Sequence, residues 1–335
     1  MKRRDVFLAV AAVGVGALAA PAPALAADLP AAPNLVADPA EADRDFVRWL
    51  SVHDPRATVR SVARSALLGD TATAFLTSGY TSAVDLAARN RARQLDYANR
   101  MASTHPAQFY PWVNATAQRA ANGTDAELAA YSSTGYAAAL ANDNAKVPYD
   151  DGAAQVTQAD RNFVRLLVIA GTGATVQDRA AYAETDAEVA ELVRYGWLSA
   201  AGIDADTFRA QYVADEWTRW RDARVAAVSA AAAEQAAQAG TASPAAAIQG
   251  WRNLLTRCGR NPTGWAGLEQ FARARADAWT RILQTTSLPA AVANLPGVRA
   301  QWLSEATGAA ERSAWWNDLI VYAQAATDAW ADADI

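Results

Sequence analysis

Cysteine is nearly absent from this chain: Cys258 is alone among 335 residues. An internal disulfide is therefore excluded, and the hydrophobic core must hold the fold by itself. Such a residue reads as a small buried hydrophobe at a helix end, with pairing to another chain as the alternative. Histidine is almost as scarce. His53 and His105 stand in His53-Asp54-Pro55 and His105-Pro106, where an imidazole suits the negative end of a helix more than it suits a ligand set or a general base. Neither His-Glu-x-x-His, paired Cys-x-x-Cys nor Gly-x-Ser-x-Gly occurs, so the common zinc and serine-nucleophile signatures are missing. Asp150-Asp151-Gly152 lacks calcium-loop spacing. No catalytic, cofactor-binding or metal-ligating residue is assigned. Glu269 with Asp277, or Glu305 with Glu311, are the right residue type for glycoside hydrolysis, but sequence does not place either pair across a cleft.

Lysine is also in short supply, while arginine is plentiful. The formal net charge is -5, and lysine occurs only at positions 2 and 146, a bias read as genome composition. The chain opens with Lys2-Arg3-Arg4, an apolar run from Val6 to about Ala20, and Ala24-Leu25-Ala26. This order predicts a secretory signal over residues 1–27, too short and wrongly flanked for a membrane span. Its removal takes away three positive charges and one negative, moving the net charge from -5 to -7. A nucleic-acid partner is disfavoured, because phosphates need a basic face. No later apolar run is long enough to cross a bilayer. The expected location is extracellular.

What the chain does have is repetition. Thr185–Trp197 reads TDAEVAELVRYGW, Thr124–Tyr136 reads TDAELAAYSSTGY, and a looser copy, DTATAFLTSGY, ends at Tyr80. Thr124 with Glu127, and Thr185 with Glu188, have the Thr-x-x-Glu spacing of a capping box, so a helix starts at each. Gly79, Gly135 and Gly196 stand where a left-handed residue would end those helices. The pairs Phe75 with Tyr80, Tyr131 with Tyr136 and Leu192 with Trp197 fall where the apolar contact of a Schellman ending belongs. The first copy has Asp70 or Thr71 to cap but no glutamate to close the box, so its helix is expected to begin less firmly.

The copies extend upstream. Asp43–Leu50 aligns with Asp160–Leu167 without a gap, and Val59, Ala63 and Ala66 recur as Val113, Ala117 and Ala120, and as Val176, Ala180 and Ala183. That is the i, i+4, i+7 spacing of one helical face. The first helix of the middle copy, near Leu95–Met101, has diverged. Each unit amounts to about three short helices, and units that cannot bury their apolar faces alone do so by stacking. The expectation is an all-α chain: a linker over 28–42, three α-solenoid-like helical repeats over 43–204, and a polar connection from Asn142 to Asp160 between the second and third.

Beyond them, Asp206–Gln238 contains neither Gly nor Pro and predicts one long helix within 205–240, roughly 50 Å in length. Ser243-Pro244 suits an N-cap and first helical position, so a second helix should fold back as an antiparallel hairpin. That arm is expected to break at Gly259–Gly264, resume to Gln284, and lead into shorter helices, giving a small helical region over 241–335. Seven of the twelve tryptophans lie beyond residue 245. Tryptophan at helical spacing, as in Trp315, Leu319, Tyr322, Ala326 and Trp330, points to core, with an exposed sugar-binding surface as the alternative.

The order of valine, alanines, Gly-Thr-Asp, an apolar pair and a closing glycine in residues 57–80, 123–136 and 174–197 resembles the ALF repeats of secreted actinobacterial proteins. That resemblance covers about half the chain. It implies an exported, non-enzymatic scaffold that docks a protein or peptide partner, in some members within large toxin assemblies. A wall- or carbohydrate-binding module and a small secreted hydrolase are the other classes.

Overall fold

The computed structural model describes residues 29–333, so the predicted signal lies outside the described residues. These form an all-α fold of stacked helices, with no strand among them. The first elements are α1 (Asn34–Ala37), α2 (Pro39–His53) and α3 (Ala57–Leu68). The expected linker over 28–42 is thus partly helical. Asp38 accepts from the amides of Ala40 and Glu41, and Pro39 occupies the first helical position, a favourable start.

Next come α4 (Ala72–Ala74), a π-turn over Phe75–Gly79 and α5 (Tyr80–Thr104). The middle copy supplies α6 (Pro111–Ala121), α7 (Asp125–Ala130), a π-turn over Tyr131–Gly135 and α8 (Tyr136–Asn144). Its diverged first helix is the far end of α5. The third copy follows as α9 (Gln158–Ile169), α10 (Ala174–Ala181), α11 (Asp186–Glu191), a π-turn over Leu192–Gly196 and α12 (Trp197–Gln238).

The three π-turns correct the reading of the repeated phrase. Gly79, Gly135 and Gly196 have φ of -65°, -63° and -66° and do not stop their helices. The backbone N–H of Tyr80 donates to Phe75 O, that of Tyr136 to Tyr131 O, and that of Trp197 to Leu192 O. A Schellman ending joins the same two atoms, so the residue pairs are those expected but the helix goes on. Glycine serves close approach here. A Cβ on Gly79, Gly135 or Gly196 would stand 3.1–3.2 Å from the side chain of Phe75, Tyr131 or Leu192. Among the described residues the left-handed glycines are Gly152, Gly171 and Gly240.

Both capping boxes form. Glu127 N donates to Thr124 Oγ1 at 3.2 Å and Thr124 N to Glu127 Oε2 at 2.6 Å, and the same pair of bonds joins Thr185 to Glu188. At the first copy Thr71 precedes the helix without a side-chain cap.

A second repeated device escaped the sequence reading. Eight residues after the glycine, Asp143 accepts from the amides of Trp112 and Val113, and Asp204 from those of Thr175 and Val176. In the second and third copies the third helix thereby caps the second. Copy one has Ala87 at that place.

The last elements are α13 (Pro244–Cys258), α14 (Asn261–Thr285) and α15 (Pro289–Ala333). The break between α13 and α14 is only Gly259-Arg260, because Pro262 sits in the first turn, where its missing N–H costs nothing. The expected series of shorter helices is one helix, α15. Pro296 lies inside it on an exposed face, and the buried neighbours Leu295 and Val298 hold that turn to the core.

Aromatic contacts show how the pieces meet. Phe46 of α2 stacks on Trp220 of α12 at 4.3 Å, Tyr80 of α5 on Trp217 at 4.2 Å, and Trp197 lies between Phe163 of α9 and Trp279 of α14. One core therefore runs through the first copy, the third copy and the C-terminal helices, across the expected boundary at 204/205. Glu216 of α12 is fully buried there and accepts from both indoles, Trp265 Nε1 at 2.9 Å and Trp316 Nε1 at 3.0 Å, and from Arg312 Nε at 2.5 Å. The middle copy keeps a small core of its own, built on Ala98, Ala117, Ala120, Leu128 and Tyr131.

Candidate functional site

Of the residues singled out in the repeats, Glu127, Glu188 and Gly196 line a common groove of about 700 Å³ between the second and third copies. Tyr80 and Trp197 are core residues instead, and Gly79, Gly135, Thr124, Thr185 and Tyr136 are not among the groove's lining residues. The groove lies along α6 and α7 on one side and α10 and α11 on the other, with Tyr149 and Asp151 of the connecting loop beside it.

Three polar struts cross between the copies. The Arg119 guanidinium donates to both carboxylate oxygens of Glu191, at 2.6 and 2.7 Å, and to Tyr149 Oη at 3.1 Å. Arg179 donates to Asn122 O and Gly196 O. Ser199 Oγ donates to Glu127 Oε2 at 2.7 Å, the same oxygen that closes a capping box. The Arg119 guanidinium carbon also stands 3.7 Å from the ring centroid of Tyr195. Burial opposes the charge of Arg119, but the hydrogen bonds and charge of Glu191 outweigh it and raise its pKa. Arg179 meets only backbone carbonyls, and burial lowers its pKa. Hydrogen bonds from Thr185, backbone and side chain, with one from the Glu184 amide, hold Glu188 below the usual carboxylate range.

Sequence reasoning passed over Arg119, Tyr149, Asp178, Tyr182, Glu191 and Tyr195. One signal was available: Arg119 and Tyr182 occupy the same repeat position, six residues after Val113 and Val176, where copy one has Ser65. A position that varies between serine, arginine and tyrosine across the copies, with Arg119 half-buried and Tyr182 exposed, marks a surface more than a core.

The remaining candidates are placed elsewhere. His53 ends α2, stacked on Trp49 at 4.8 Å, and His105 caps α5 with Nδ1 3.1 Å from Met101 O. Glu269 pairs with Arg273 and Asp277 is exposed, while Glu305 is buried against Arg209 and Tyr212 and Glu311 is exposed. Six of the seven C-terminal tryptophans, all but Trp315, are buried. Cys258 is buried at the end of α13, its thiol pushed up to about 12 by burial. Among the described residues no helix is long and apolar enough to cross a membrane, and no three His, Cys, Asp or Glu side chains gather where a metal ion would fit. Comparison with protein-family models, curated proteins and solved structures finds no match.

Proposed function

We propose that this protein is an exported, non-enzymatic interaction scaffold, its repeats stacked in an α-solenoid-like manner and its second and third copies docking a segment of a partner protein. One observation carries the reading: the 700 Å³ groove between those copies is open, edged by Tyr182 at 80% and Tyr195 at 45% exposure, and both of its guanidiniums are tied into struts between the copies. Exposed aromatic side chains beside a groove are the usual anchors of a protein contact. The resemblance to ALF repeats and the leader-like N-terminus support export and a place in an extracellular assembly, and the α12–α13 hairpin with the C-terminal helices supplies the rigid base.

The test uses the chain from residue 28 onward, since a cut at 204 would divide α12. A photo-crosslinking residue is placed at the exposed Gln118, which lines the groove and leaves Tyr182 in place, or at the exposed Val321 of α15, and the protein is mixed with the secreted fraction of its producer. Discrete adducts from position 118 and not from 321 are expected. No adduct at 118, or the same adducts from both positions, would remove the groove from the function.

A further inference from the structure

The groove contains one guanidinium cage already filled by the chain itself. Glu191 and Tyr195 are one helical turn apart, and Arg119 enters between them. Its nitrogens lie 2.6 and 2.7 Å from the carboxylate, and its carbon 3.7 Å from the ring centroid. Carboxylate and aromatic face together are the two features that select a guanidinium: a fork of donors for the first and a delocalised cation for the second.

The same pair is written a second time on α10, the preceding helix of the same copy. Asp178 and Tyr182 are likewise four residues apart at the end of α10, joined by the Tyr182 N–H to Asp178 O bond, and both line the same groove. Asp178 makes no ion pair among the described residues, and the Tyr182 side chain is the most exposed aromatic lining the groove. The charges around it favour a cation. The lining contains five carboxylates (Glu127, Asp151, Asp178, Glu188, Glu191) against two guanidiniums, and both of those are engaged, Arg119 on Glu191 and Arg179 on backbone carbonyls.

We infer that Asp178 and Tyr182 form a binding site for an arginine side chain of a partner segment, which would lie along the groove as Arg119 does from within. The inference rests on the docking role proposed above and gives it a chemistry: a basic segment, with arginine preferred over a neutral residue of the same shape. A neutral glycan or an acidic peptide would find no matching charge there.

The probe is a fluorescein-labelled peptide of alternating serine and arginine, read by anisotropy against the chain from residue 28 onward, beside the same peptide with citrulline at every arginine. The arginine peptide should bind, and the citrulline peptide about tenfold more weakly. Asp178→Asn and Tyr182→Ala should each weaken the arginine peptide by a similar factor. Asp85→Asn, which removes an exposed carboxylate of α5 outside the groove, should change it by less than about twofold. Equal losses for Asp178→Asn and Asp85→Asn would reduce the effect to whole-chain charge, and equal binding of the citrulline peptide would remove the guanidinium requirement. Either result overturns the site. Partner adducts at position 118 that persist in Asp178→Asn would overturn the arginine site while leaving the docking role standing; absence of adducts at position 118 with Asp178 and Tyr182 both intact would overturn the role itself.

Discussion

Leu192 lies over Gly196, and a Cβ added to that glycine would stand 3.2 Å from Leu192 Cδ1. At Gly240, by contrast, φ is +69° and nothing lies within 4 Å. The two glycines therefore predict opposite outcomes for alanine. Gly240→Ala should cost about 1 kcal/mol, because a side chain is forced into the left-handed region. Gly196→Ala, in right-handed helix with only a flexible leucine tip to displace, should be neutral or stabilising by a few tenths to about 1 kcal/mol. Urea melts of both variants check the pair; a larger loss at Gly196 than at Gly240 contradicts it.

Glu216 holds three donors from two helices. Glu216→Leu leaves the Arg312 guanidinium, 10% exposed, without a counter-charge, and a loss of about 3–5 kcal/mol is expected. Glu216→Leu/Arg312→Leu should recover only part of it, since the indoles of Trp265 and Trp316 still lack an acceptor. A double-mutant cycle measures this. Full recovery would mean that the indole bonds contribute nothing.

Asp204 caps α10 from another helix, and Gly173 makes room for it: a Cβ there would meet Asp204 Oδ2 at 1.9 Å. Asp204→Ala should cost about 1–2 kcal/mol through the lost cap. Gly173→Ala should cost a similar amount by expelling the carboxylate, and the double variant should cost little more than either one. Additive losses would separate the two residues.

Burial holds the His53 imidazole below its ordinary value, with Arg209 and Arg312 acting in the same direction and Glu305 and Glu311 against it. As pH falls, the unfolded chain takes up this proton before the folded one. The stability linked to His53 is therefore complete above about pH 6.5 and is lost as pH drops through that value toward the lower folded pKa. Denaturation midpoints of the parent should fall between about pH 7.5 and 5.5 more steeply than those of His53→Gln. Parallel slopes would show that other groups carry the dependence.

Much of the local architecture was legible in the amino-acid order. The Thr-x-x-Glu boxes at Thr124 and Thr185 need only four residues to specify a helix start, and the recurring Val and Ala positions and the helically spaced tryptophans mark buried faces through the 3.6-residue period alone. Even the six-residue span from Leu192 to Trp197 was marked, because a helix ending and a π-turn join the same N–H to the same carbonyl.

What local order left open was settled by partners far along the chain. Whether the helix stopped at Gly196 depended on Trp197, which is buried between Phe163 and Trp279 once the helix continues. The groove joins Arg119 to Glu191, Glu216 draws in Trp265, Arg312 and Trp316, and Asp204 caps a helix 28 and 29 residues upstream. A turn's hydrogen bonds depend on residues within reach of one turn, whereas burial depends on what the rest of the chain brings against it. Sequence alone therefore set the helix starts at Thr124 and Thr185 and which faces are apolar; the tertiary packing decided whether the helices end at the repeated glycines and which charges meet.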